Sequence, residues 1–163
     1  VVLWGFGAIL YVVLMASIVP RLLLAELRPD DSVHPYWITM GATAISVFAG
    51  ARILALPAHL PIPAPTLAGI AFLLWAFGSW WIPLLIALEC WRYLLRRIPL
   101  VYDPSLWDVV FPLGMYAAAS QALGRVTESG PLGVVAKIAV WVAAVAWSAT
   151  FVAMVVGVRR LRR

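Results

Sequence analysis

Five apolar stretches, each close to the length that crosses a bilayer, fill most of this 163-residue chain. A helix needs about 20 apolar residues to span roughly 30 Å of hydrocarbon. The stretches cover about 1–24, 36–56, 66–91, 106–123 and 132–158. In lipid every backbone polar group must find a partner inside the chain, and a single segment achieves this only as a helix. The pattern predicts an all-α integral membrane fold of five transmembrane helices, in one domain over 1–163. Composition bears on the same point: 64% of residues are hydrophobic and 12% charged, against about 45–50% and about 25% in soluble domains. Water could not solvate so much apolar surface, so the lipid bilayer is the expected partner.

The connections carry the helix breakers. Arg28-Pro29-Asp30-Asp31-Ser32 separates the first two stretches, and an uncharged proline-rich segment over 57–65 separates the next two. Pro99 and Asp103-Pro104-Ser105 precede the fourth, where Asp103 or Ser105 can cap the first turn, and Gly130-Pro131 opens the fifth. Arginines set the direction. Arg21, Arg28, Arg92, Arg96, Arg97, Arg159, Arg160, Arg162 and Arg163 fall on one side, and Arg125 alone is expected in a loop on the other. The positive-inside rule makes the arginine-rich side, with the C-terminus, cytoplasmic. Val1 then lies outside, which requires an odd number of spans before it in a chain that starts in the cytoplasm. The first stretch also lacks a basic leader and a cleavage motif, so the chain reads as a piece of a longer protein.

Several function classes fall away. The formal charge of +5 sits at the ends of apolar runs rather than on a solvated face, which excludes nucleic acid as a partner. Cys90 is the sole cysteine, and His34 and His59 fall in different loops. No metal site and no cofactor are expected. A membrane enzyme would need a nucleophile–base pair or acidic pair at one depth, which the sequence does not offer.

The second and fourth stretches differ in texture from the others. Eight of the eleven residues over 41–51 are small, and Gly114 and Ala117-Ala118-Ala119-Ser120 mark the fourth. Small residues let helices approach closely or leave room for a passage. Thr39, Thr43, Ser46 and Gly50 share one helical face, as do Phe111, Gly114, Met115 and Ala118. Two readings stand for these faces: a lined path, or helix–helix contact with hydroxyls bonded to their own backbone. Pro112 removes the bond to the Asp108 carbonyl and is expected to kink its helix. Phe111, just before it, is either a core ring or a ring projecting into a path. Glu89 and Arg92 can pair at i, i+3. Arg52 and Lys137, near the outer ends, either snorkel or draw anions to an outer mouth.

Two segments resemble the tellurite-resistance/dicarboxylate transporter family, which includes the slow anion channels. They are His34-Pro35-Tyr36-Trp37-Ile38-Thr39-Met40-Gly41-Ala42-Thr43-Ala44-Ile45-Ser46 and Trp107-Asp108-Val109-Val110-Phe111-Pro112-Leu113-Gly114-Met115-Tyr116. Trp80-Trp81-Ile82-Pro83 and Pro99-Leu100-Val101-Tyr102-Asp103-Pro104 resemble its bacterial branch. The resemblance implies helices 6–10 of a ten-helix, five-hairpin pore fold that forms homotrimers in the bacterial inner membrane. The second and fourth helices here then match the pore-lining helices seven and nine, and Phe111 matches the family's gate. The five preceding helices are missing from this chain.

The expected function is passage of small inorganic or dicarboxylate anions through a phenylalanine-gated pore. A proton-coupled carrier is the nearest rival, although Glu89 and Asp108 lie near helix ends rather than at mid-depth. A non-transporting scaffold or assembly subunit is the rival from another class.

Overall fold

The computed structural model describes residues 1–24, 33–57 and 60–161. His59, the 28–32 connection, Arg162 and Arg163 lie outside the described residues. Five long helices make up the fold: α1 (Val2–Leu24), α2 (Trp37–Leu54), α3 (Ala64–Cys90), α4 (Trp107–Val126) and α5 (Gly130–Leu161). Among the described residues there is no strand. α1, α2, α3 and α5 are long and apolar enough to cross a membrane on composition alone. α4 has the length, at 20 residues, but is the least apolar of the five. Its polar and small residues, among them Asp108, Ser120, Gln121 and Arg125, are the reason.

Helix ends follow from local sequence. Pro65 stands in the first turn of α3, where its missing N–H leaves no bond unmade. α3 runs into a π-helical turn, Trp91–Leu95, and the chain reverses at Arg97, whose φ of 53° is left-handed. A short 3₁₀ turn, Pro104–Leu106, leads into α4, with the Asp103 carboxylate accepting from the Ser105 backbone N–H at 2.8 Å. A matching 3₁₀ turn, His34–Tyr36, leads into α2. Each turn carries proline at its start and passes directly to a tryptophan, Trp37 or Trp107. The two helices are thus launched in the same way.

α2 and α4 run parallel at the centre of the bundle. They approach closely at Gly41, where an added Cβ would stand 3.0 Å from Pro112 Cγ. Glycine is needed there because the buried proline ring occupies the space a side chain would take. α3 lies antiparallel across both. Thr43 packs on Gly78 of α3. Trp75 Nε1 donates to Ser120 Oγ at 2.8 Å, and Ser79 Oγ meets the Tyr116 hydroxyl at 2.7 Å. α1 lies antiparallel to α2, with Trp4 Nε1 donating to the Ser46 carbonyl at 2.7 Å and the Tyr11 hydroxyl to the Thr39 carbonyl at 3.2 Å. α5 folds back along α4 through a tight connection in which the Ser129 N–H bonds the Gly124 carbonyl at 2.9 Å. Trp81, Met40, Leu67, Leu85 and Leu123 fill the interior, while α1, α3 and α5 present Leu, Val, Ile, Phe and Trp outward, as lipid-facing helices do.

Candidate functional site: the open face of the parallel pair

One face of the α2–α4 pair is covered by α1, α3 and α5, and the other is open. On α4 the open face carries Phe111, Gly114, Met115, Ala118, Gln121, Ala122 and Arg125, a single stripe at helical spacing. Phe111 is 55% exposed, and a Cβ on Gly114 would meet nothing within 4 Å. Pro112 points the other way, into the contact with α2, and α4 runs through it without ending. The four residues expected to share a face on α4 do so, with Phe111 and Gly114 exposed and Met115 and Ala118 half-buried.

α2 differs from expectation. Its open strip is Ile38, Ala42, Ile45, Ala49 and Arg52, and the hydroxyl-bearing face lies roughly a third of a turn away. Thr43 is 1% exposed against Gly78. Gly50 faces the Trp4 indole, with 3.2 Å between ring and added Cβ. The hydroxyls of Thr39, Thr43 and Ser46 donate to the carbonyls of Tyr36, Met40 and Ala42 at 2.6, 2.7 and 2.9 Å. Thr39, Thr43, Ser46 and Gly50 are therefore contact residues for α1 and α3. In hydrocarbon a hydroxyl bonded to its own helix needs no water, and small size here serves close packing.

At the end remote from the arginine-rich side, α2 and α4 line a half-open recess of about 340 Å³. Arg52, Gln121 and Arg125 supply its polar groups, and Ala51, Ala55, Ala118 and Ala122 much of its wall. Arg125 belongs to the last turn of α4 rather than to a loop, so the sequence reading missed it. Lys137 is exposed on α5 and does not line the recess; Arg125, not Lys137, is the neighbour of Arg52. The signal for this was present: Phe111, Ala118 and Arg125 are spaced by seven, which keeps them on one stripe.

The opposite end is tied by His34, 3% exposed. Its Nδ1 bonds Ser105 Oγ at 2.7 Å and its Nε2 bonds the Tyr93 hydroxyl at 2.9 Å. Glu89, read from sequence as a partner for Arg92, accepts from Trp37 Nε1 at 3.1 Å and lies 3.7 Å from His34 Nε2. One imidazole thus joins the start of α2, the end of α3 and the start of α4. Asp103, in the connection, has its carboxyl held below the ordinary value by the Ser105 hydroxyl and backbone N–H. Among the described residues no group of three or more His, Cys, Asp or Glu could hold a metal ion.

Comparison with known proteins bears on what such a face is for. The profile of the voltage-dependent anion channel family matches residues 1–155. The chain is 45% identical to uncharacterized membrane protein Rv1735c of Mycobacterium tuberculosis over 148 residues, 89% of this chain and 75% of that protein. It is 26% identical to uncharacterized transporter MJ0576 of Methanocaldococcus jannaschii over 149 residues, 91% of this chain and 42% of that one. No solved structure matches. The chain is an integral membrane protein and belongs to the voltage-dependent anion channel family.

Proposed function

We propose that the open face of α2 and α4 is one wall of an anion pathway gated by Phe111. The observation that carries this reading is the chemistry of the α4 stripe. From Phe111 to Arg125 it is small or uncharged, holds no carboxylate, and ends in a cation. At about 1.5 Å per residue, the 14-residue separation puts the ring some 21 Å from Arg125. Phe111 follows the first turn of α4, beside the junction tied by His34, and is a large ring on a stripe otherwise small at its level. A ring so placed narrows the passage and must rotate for an anion to pass. Pro112, by removing one backbone bond, softens the helix at that point. The pathway lining proposed is Gly114, Met115 and Ala118 of α4 with the Ile45 and Ala49 strip of α2.

The other wall would come from five further helices, with this chain as the C-terminal half of the fold. The archaeal transporter, of which the match covers 42%, has room for them. The mycobacterial relative, covered to 75%, has not, and in proteins of that length the second wall would come from another chain. The arginine-rich end is cytoplasmic on the positive-inside rule, in the bacterial inner membrane, and the assembly is a homotrimer. The transported species are small inorganic or dicarboxylate anions, and no catalytic step is involved.

The test is Phe111→Ala in the full-length gene product reconstituted in liposomes. The half-exposed ring contributes little packing, so the variant folds, and anion flux rises at least severalfold. Unchanged flux in a folded variant removes the gate. Absence of anion flux in both proteins removes the transport reading in favour of a scaffold.

A further inference from the structure

Two arginines from different helices line the recess at the far end of the pair, and this is not what helix-end snorkelling alone requires. A single snorkelling arginine reaches water independently, whereas Arg52 and Arg125 come from different helices and line one cavity of about 340 Å³. Their convergence is fixed by the fold. Gly41 abuts Pro112, and counting eleven residues along each parallel helix brings Arg52 level with position 123. Arg125 therefore stands beside it, with Gln121 one turn deeper. No carboxylate lines the recess among the described residues, and neither arginine is in an ion pair among them. Both arginines are exposed, and their like charges line one half-open recess, an arrangement that attracts a counter-anion.

The geometry points to an oxyanion-binding site formed by Arg52, Arg125 and Gln121 that prefers dianions to monoanions. This rests on the anion-pathway reading and deepens it, by assigning discrimination to the far mouth rather than to the Phe111 constriction. A dianion neutralises both guanidinium groups, whereas a monoanion leaves one unmatched. Each guanidinium offers a planar pair of donors suited to a carboxylate or other oxyanion. The Gln121 amide N–H is placed to donate to the deeper end of the ligand. Alanines leave the space open: Ala51, Ala55, Ala118 and Ala122 supply wall without filling the cavity.

The experiment compares malate and sulfate, as dianions, with nitrate, as a monoanion, in the full-length gene product. Ligand-induced thermal stabilisation in detergent reads binding, and uptake into liposomes reads transport. Arg125→Gln and Arg52→Gln are each expected to weaken malate and sulfate binding about tenfold, the effect of one lost hydrogen bond to a charged group. Nitrate binding should change by about threefold or less. Arg125→Lys, which keeps the charge but loses the planar fork, is expected to recover binding of sulfate better than that of malate. Equal weakening for all three anions would overturn the site in favour of general surface potential, as would no weakening of any. Binding differences that persist in a protein without flux retain the site and reject the transport reading. Flux that persists with unaltered dianion preference does the reverse.

Discussion

Gly78 is the position where the packing of α2 can be tested against a pathway along it. A methyl there would sit against Thr43 Oγ1 and 3.3 Å from Thr43 Cβ. Thr43 has no easy retreat. Its hydroxyl donates to the Met40 carbonyl at 2.7 Å, it is buried, and a β-branched side chain has few rotamers in a helix. The two helices must therefore separate, at an overpacking cost of about 1–3 kcal/mol. Replacing glycine by alanine returns about 1 kcal/mol of helix propensity. The expected net effect of Gly78→Ala is a loss of up to about 2 kcal/mol, read as a lower SDS-unfolding midpoint. Thr43→Ala in the same background removes the obstructing hydroxyl and should restore most of the loss. Thr43→Ala alone should leave anion flux unchanged. If Gly78→Ala is as stable as the parent, or if Thr43→Ala alone alters flux, the assignment of Thr43 to a packed contact is wrong.

Two further outcomes follow from single contacts. Trp4→Phe removes the bond to the Ser46 carbonyl and should lower stability by about 1 kcal/mol while sparing flux, since α1 lies behind the proposed wall. Asp103→Ala removes the carboxylate ahead of α4 and should cost about 1 kcal/mol at neutral pH. The folded-state carboxyl titrates below its ordinary value of 3.8, so its contribution is complete above that value. It is lost as pH falls through the lower, folded-state value. Unfolding midpoints measured down through this range should converge for Asp103→Ala and the parent; a constant gap would rule out the charged carboxylate as the cause.

Much of the architecture was legible because length and apolarity are sufficient in lipid. The five helices lie within a few residues of the stretches read from sequence, and of the two capping candidates, Asp103 and Ser105, it is Asp103 that caps, at the 3₁₀ turn ahead of α4. The α4 stripe was legible as a shared face, with Phe111 and Gly114 exposed and Met115 and Ala118 half-buried on it. The hydroxyl face of α2 misled for a definite reason. Thr39, Thr43 and Ser46 bond carbonyls three or four residues back in their own helix, so their polarity is spent locally and says nothing about water. Periodicity also cannot tell which face of a helix meets a neighbour. That depends on partners such as Trp4 and Gly78, which are 42 and 35 positions away from Ser46 and Thr43. His34 escaped notice as more than a loop residue because its partners, Tyr93 and Ser105, lie 59 and 71 positions away.

The exposed surfaces of the helices differ in the polar groups they carry. Where α1 and α5 face outward, large apolar side chains such as Phe6, Ile9, Leu14, Trp141, Val145 and Val152 are exposed beside smaller ones such as Ser17, Ala144 and Ser148. The α4 stripe carries Phe111, Gly114, Met115, Ala118, the amide of Gln121 and Arg125, and the adjoining α2 strip carries Ile38 and Ile45. Lipid contact rewards bulk, because small side chains leave the acyl chains poorly packed, and it penalises an amide that finds no partner. What sets this face apart is its amide and its two arginines, which match acyl chains poorly and an anion well. On the proposed pathway reading, the polar groups that matter are Gln121, Arg52 and Arg125 rather than the hydroxyls of α2, which are bonded within their own helix.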